Sequence, residues 1–150
     1  TYNISHYTWN DVVGLDTDVV DSGTDGGGTA VLDQSTGVFT APRDGKYYLD
    51  AHCTVQATNL HTASMSFSMS TDGGSTWTLQ QEPTVNQDPP TVIDHLSQSR
   101  IFTLNGPTTS PAYGGDKVKI LGFGSSSSAS NWHLAGGLLG YTAFTGYNVD

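Results

Sequence analysis

Thr36-Gly37-Val38-Phe39-Thr40-Ala41-Pro42-Arg43-Asp44-Gly45-Lys46-Tyr47-Tyr48-Leu49 is the stretch from which the rest of the chain can be read. Pro42 and Gly45 set a turn, because proline presets its own backbone angle and glycine accepts angles that other residues resist. Beyond Gly45 the residues alternate. Tyr47, Leu49, Ala51, Cys53 and Val55 fall on one face and Tyr48, Asp50, His52 and Thr54 on the other. That two-residue period predicts a strand with one face in a core.

The same period recurs outward from this point. Ser64-Met65-Ser66-Phe67-Ser68-Met69-Ser70 puts Met65, Phe67 and Met69 inward and a row of serines outward, where they would allow a close approach or simply face water. It runs into Asp72-Gly73-Gly74, a hairpin signal that returns the chain through Trp77-Thr78-Leu79. Ile101-Phe102-Thr103-Leu104, closed by Asn105-Gly106-Pro107, and Lys117-Val118-Lys119-Ile120-Leu121, opened by Gly114-Gly115-Asp116, read as further strands. Residues 132–144, broken by Gly136-Gly137, complete the set. Short strands at this spacing without a convincing helix predict an antiparallel sandwich or barrel. Residues 22–28 and 124–130 carry too little apolar surface to order by burial and predict loops; residues 82–95, with Pro83, Pro89 and Pro90, predict a longer connection. No internal repeat points to a propeller or solenoid.

Composition narrows the function classes. The 150 residues include 18 Gly and 6 Pro, which suits many tight turns, and only 13% are charged, which excludes a coiled coil or helical bundle. No apolar run approaches the ~18 residues of a spanning helix, so no membrane insertion is expected. The net charge is −9, and Arg43, Lys46, Arg100, Lys117 and Lys119 are the five basic residues, too few to neutralise the phosphates of a nucleic acid. Cys53 is alone, which excludes an intrachain disulfide and leaves packing, metal or oligomerisation to stabilise the fold. The opening Thr1-Tyr2-Asn3-Ile4-Ser5-His6 lacks the basic and apolar regions of a leader, so the expectation is a processed chain or one that never had a leader. Asn3-Ile4-Ser5 fits a glycosylation acceptor, of consequence only in a eukaryotic secretory setting.

The stretch from Thr36 to Leu49 resembles the central signature of the globular head of complement component one-q, a family that shares the tumour necrosis factor jelly roll. That signature is a phenylalanine, a proline, then Gly-x-Tyr leading into a core strand, and Phe39, Pro42, Gly45, Tyr47 and Leu49 fill those places. Gly115-Asp116-Lys117-Val118 is similar to the Gly-Asp-x-Val that opens a late strand of the family, and Gly136-Gly137-Leu138-Leu139-Gly140 to its terminal glycine-rich strand. The three together suit one domain covering most of residues 11–145. The resemblance implies an all-β antiparallel jelly-roll sandwich of about ten strands that assembles as a homotrimer, here with residues 1–10 as an N-terminal arm and 11–150 as a single jelly-roll domain. The chain departs from the animal members in having no collagen-like run and no heptad stalk. Its wording, Thr-Gly-Val-Phe-Thr-Ala-Pro-x-x-Gly-Lys-Tyr, is more similar to versions in bacteriophage fibre and capsid-surface proteins, an analogy of fold rather than of site.

Ser70-Thr71-Asp72-Gly73-Gly74-Ser75-Thr76-Trp77 fits the Asp-box of sialidase-like propellers, yet it occurs once, and its simpler reading is a hairpin cap with Asp72 bonding turn amides and Trp77 packing on them. No nucleophile elbow, zinc-protease or phosphate-loop motif occurs, and Glu82 is the only glutamate. His52 and Cys53 are strand neighbours and point to opposite faces, so they form no local thiolate–imidazolium pair, and Cys53 reads as a small core residue. The five histidines show no ligand spacing. Tyr48 and His52, on the face opposite the core, are the candidates for a trimer interface, and a histidine on a threefold axis would be presented three times. Asp16, Asp18 and Asp21, with Asp25 nearby, are weak calcium candidates set against a solvated acidic loop or a strand with its charges outward. No other cofactor is expected.

Trp9, Tyr113 and Trp132 stand near the terminus or beside turns, where a ring can stack on a sugar, anchor a neighbour or cap its own domain. The expected function is therefore a non-enzymatic trimeric virion-surface protein, either capsid decoration or a head- or tail-fibre knob. Its partners would be itself, other virion proteins and a host surface glycan or protein. The rival reading is a secreted, complement-like trimeric carbohydrate-binding or ligand module. A glycan-cleaving fibre tip rests on the Asp-box alone.

Overall fold

The computed structural model describes residues 2–4, 9–12, 32–33, 35–56, 60–80, 84–87, 93–126, 132–135 and 143–149. Their regular structure is all β, in twelve strands: β1 (Tyr2–Ile4), β2 (Asn10–Asp11), β3 (Leu32–Asp33), β4 (Val38–Thr40), β5 (Gly45–Gln56), β6 (Leu60–Ser70), β7 (Thr78–Leu79), β8 (Thr84–Gln87), β9 (Ile93–Leu104), β10 (Lys117–Ser126), β11 (Trp132–Ala135) and β12 (Ala143–Asn148). Among the described residues no helix is long and apolar enough to cross a membrane.

Two antiparallel sheets pack as a sandwich. β5, the strand that follows the Pro42–Gly45 turn, is the spine of the first. β9 lies along one edge from Gly45↔Leu104 to Gln56↔Ile93, while β12 and β11 divide the other, pairing Ala143 with His52 and Ala135 with Thr54. β1 extends this sheet from β11. The second sheet centres on β10 and β6, paired from Lys117↔Ser70 to Ser126↔Leu60 with a register shift at its far end. β4 and β2 share the outer edge of β10, β7 and β8 that of β6, and β3 pairs with β4. The count exceeds the expected ten because short strands divide single edges of the long ones.

Alternation in each long strand builds the core. Tyr47, Leu49, Ala51 and Cys53 of β5, with Leu96, Phe102 and Leu104 of β9, face Ala63, Met65 and Phe67 of β6 and Val118 and Ile120 of β10, and all are buried. Phe67 is the junction between the layers: its ring meets Phe102 edge-on at 5.4 Å and Phe144 at 6.0 Å. Aromatic pairs at this spacing add about 0.5–1.5 kcal/mol each beyond the area they bury. Cys53 sits in the core and His52 is exposed on the other face, the opposition that the strand period predicts.

The Phe39–Leu49 stretch and the Gly115–Val118 turn, read separately in the sequence, are stitched together. Ala41 N–H donates to Asp116 O at 2.9 Å, and Asn105 N–H donates to the buried Asp116 Oδ2 at 2.8 Å. Asp44 accepts Gly106 N–H at 2.7 Å and the Thr109 hydroxyl; the Thr109 bond chiefly holds its carboxyl below the ordinary carboxylate range. Tyr47 Oη donates to Arg43 O at 2.7 Å, which closes the turn on the strand it launches.

Residues 82–95 are not only a connection, because they hold β8 and the first three residues of β9; Pro83, Pro89 and Pro90 lie outside the described residues. Gly124, Ser125 and Ser126, assigned to a loop, continue β10, since a ladder to Ala63, Thr62 and Leu60 needs backbone groups and not apolar side chains. Ser64, Ser66, Ser68 and Ser70 do not face water: all four are buried, on a strand paired along one edge by β10 and along the other by β7 and β8. The stretch read as an N-terminal arm supplies β1 and the first residue of β2, one strand to each sheet.

Candidate functional site

The outer face of the second sheet carries a cleft of about 330 Å³ between the Asp-box hairpin and the turn that joins β3 to β4. One cross-strand line runs beneath it, Asp33 opposite Val38, Val38 opposite Lys119, Lys119 opposite Ser68 and Ser68 opposite Leu79. The next line pairs Thr40 with Lys117 and Lys117 with Ser70. Alternation turns these residues outward while Phe39, Val118 and Ile120 go into the core.

The hairpin wall is a self-contained network. Ser70 Oγ accepts Gly74 N–H at 2.8 Å and donates to Asp72 Oδ1 at 2.8 Å; Asp72 also accepts Thr76 N–H at 2.8 Å and the Thr76 hydroxyl at 2.5 Å. Led by the Thr76 hydroxyl, these donors bring the Asp72 carboxyl down to about 2. Trp77 Nε1 donates to Gly74 O at 2.9 Å, so the indole's polar atom is spent within the turn. Lys119 Nζ lies 4.2 Å from the centroid of the Trp77 ring and 2.6 Å from Asp11 Oδ1. The Asp-box is thus a hairpin cap of the bland kind, with one addition: Lys117 Nζ donates to Gly73 O at 3.1 Å and ties the cap to β10.

The opposite wall is the Asp33 turn. Asp33 Oδ1 accepts Ser35 N–H at 2.9 Å, the Ser35 hydroxyl at 2.6 Å and Thr36 N–H at 3.3 Å. These donors, the Ser35 hydroxyl first, lower the Asp33 pKa and keep a carboxylate at the cleft. Chemically the cleft presents a carboxylate, an ammonium, two threonine hydroxyls and an indole within one small volume.

A second surface lies on the outer face of the first sheet. Ile101, Tyr48 and Tyr147 stand side by side across β9, β5 and β12, with Ile101 57% and Tyr147 63% exposed. The Tyr48 and Tyr147 rings are 5.3 Å apart. Two and four residues beyond Tyr48 on β5, Asp50 and His52 pair, with His52 Nε2 2.5 Å from Asp50 Oδ2. Tyr48 and His52, the interface candidates, therefore share one face, and Ile101 and Tyr147 widen it into an apolar stripe.

The remaining candidates scatter. Trp9 packs on Phe123 at 5.4 Å, on the outer face of the second sheet, where β2 joins β10. Tyr113, 48% exposed, lies against the hairpin, so close that a Cβ on Gly73 would stand 3.2 Å from its Cδ1. Trp132 opens β11 opposite Ile4, and its side chain lies outside the described residues. Asp16, Asp18, Asp21 and Asp25 lie outside them altogether, as does Gly136-Gly137-Leu138-Leu139-Gly140. Asp33, Lys117 and Lys119 were missed as site residues. Their outward direction follows from alternation with Phe39, Val118 and Ile120, but their convergence on Trp77 depends on which strands are neighbours. The chain matches no protein-family model and no curated protein sequence.

Proposed function

We propose that this chain is a non-enzymatic, homotrimeric module of a virion surface, a capsid decoration or fibre knob with jelly-roll connectivity, that attaches the particle to a host glycan or protein. The observation that carries the reading is the stripe of Ile101, Tyr48 and Tyr147 in cross-strand register on an exposed sheet face. Aromatic and branched apolar side chains in contact with one another, rimmed by the polar Asp50–His52 pair, have the composition of an interface core with its wet margin. Three copies meeting through this face would bury the stripe and give threefold avidity to weak ligand sites. The phage-like wording of residues 36–47 supports the virion as the place of use.

Sedimentation equilibrium of the intact chain, alone and as the Ile101→Glu, Tyr147→Glu double variant, tests the reading. The expected result is a species three times the chain mass that the double variant converts to monomer. A wild-type chain that stays monomeric at micromolar concentration overturns it.

A further inference from the structure

We infer that the cleft between the Asp-box hairpin and the Asp33 turn is a binding site for a neutral pyranose residue, with Asp33 and Lys117 clasping adjacent hydroxyls and Trp77 forming the apolar wall. This assigns a ligand class within the attachment reading and rests on that reading for its biological use.

The argument begins with what each group has left to offer. Asp33 Oδ1 accepts from the Ser35 hydroxyl and from the Ser35 and Thr36 amides, and the Thr36 side chain also bonds the carboxyl, so the turn positions a carboxylate that lines the cleft and keeps lone pairs for a sugar hydroxyl. The Lys117 ammonium has three donors and gives one to Gly73 O, which anchors it without exhausting it. Trp77 has its N–H satisfied by Gly74 O and contributes only ring surface. A saccharide matches this inventory: vicinal hydroxyls donate to a carboxylate and accept from an ammonium in charge-assisted bonds, while the C–H face of the ring covers an indole. Thr40 adds a hydroxyl on the floor and Thr36 one in the Asp33 turn.

Charge selects the neutral member of the class. Lys119 is engaged by Asp11 at 2.6 Å, and Asp33 offsets Lys117, so the cleft has no surplus cation for a sialic or uronic acid. The chain's net charge of −9 adds to the penalty for an anion. At about 330 Å³ the cleft is at the lower end of the ~300–1,000 Å³ span of small-molecule sites. That size suits one or two sugar rings, with affinity in the millimolar range for one site.

The test is a proton–nitrogen NMR titration of the intact chain with the methyl glycosides of glucose, galactose, mannose and N-acetylglucosamine, and separately with N-acetylneuraminic acid. A saturable shift of the Trp77 indole N–H and the Gly73 and Gly74 amides with at least one neutral glycoside is expected. Asp33→Asn and Lys117→Met, the latter keeping the aliphatic stem, should each weaken binding about tenfold, and Thr40→Val, which keeps strand propensity, about threefold. No shift with any neutral glycoside, stronger binding of N-acetylneuraminic acid, or unchanged affinity in both charge variants overturns the inference. Repeating the titration on Ile101→Glu, Tyr147→Glu separates the two readings: cleft shifts retained in a dispersed chain support the saccharide site without the trimer. A trimeric wild-type chain with unmoved cleft resonances overturns the saccharide site alone.

Discussion

Lys119 reaches Trp77 across a strand that neither residue belongs to. Lys119 is on β10, Trp77 immediately precedes β7, and β6 runs between them with Ser68 and Ser70 in the intervening places. The 4.2 Å approach of the ammonium to the indole is accommodated because the middle strand carries small side chains there. Ser68, directly opposite Lys119 on a face that looks outward, is 1% exposed.

Enlarging the middle residue should therefore break this bridge. Ser68→Leu inserts a side chain into the path of Lys119 and is expected to cost about 1–3 kcal/mol, the usual penalty for overpacking. Lys119→Met keeps the stem and removes only the charge, with an expected cost of about 0.5–2 kcal/mol. Urea unfolding of both variants, with Trp fluorescence as the probe, checks the order.

The hairpin cap has a pH signature. Asp72 is held at about 2, below its ordinary value of 3.8, so its bonds to Thr76 and Ser70 favour the folded hairpin most above about pH 4. That contribution fades as pH falls through about 2, where the folded form takes up the proton. Asp72→Asn should lower the melting temperature at neutral pH, and the gap from wild type should close between about pH 4 and pH 2. A gap that is constant over this window would contradict the assignment.

Neighbouring glycines should respond very differently to alanine. Gly114 has φ +70 with nothing within 4 Å of an added Cβ, whereas at Gly115 (φ +108) the Cβ would stand 2.5 Å from Ala41 O. Both changes strain the backbone, by about 1–3 kcal/mol at such angles. Only Gly115→Ala also pushes apart the two segments joined by Ala41 N–H and Asp116 O. Thermal melts should show the larger loss at Gly115, and hydrogen exchange should show it spreading to Ala41.

Removing the junction ring tests the sandwich itself. Phe67→Ala takes away contacts with both Phe102 and Phe144 and is expected to cost about 3–5 kcal/mol. Guanidinium unfolding monitored by circular dichroism gives the value directly.

Association should strengthen with salt. Each chain carries −9, so copies repel at low ionic strength, where the screening length is ~30 Å at 0.01 M against ~8 Å at 0.15 M. Sedimentation at the two ionic strengths should show tighter self-association at the higher; the reverse order would place charge pairs, rather than the Tyr48–Tyr147 stripe, at the interface.

Local chemistry made much of the sandwich readable in advance. The alternation from Tyr47 to Cys53 and from Met65 to Met69, and the turns at Asp72-Gly73-Gly74 and Gly114-Gly115, depend on a residue and its near neighbours, and each lies where the pattern puts it. Alternation assigns a side chain to a face and says nothing about what stands beside it. Whether Ser66 is wet or buried turns on the strands that flank it, and whether Asp33, Lys117 and Trp77 share a cleft turns on the lateral order of β3, β4, β10, β6 and β7. That order comes from pairings between residues far apart along the chain, which is why strand positions were visible in the string of residues while the cleft emerged only in the folded sheet.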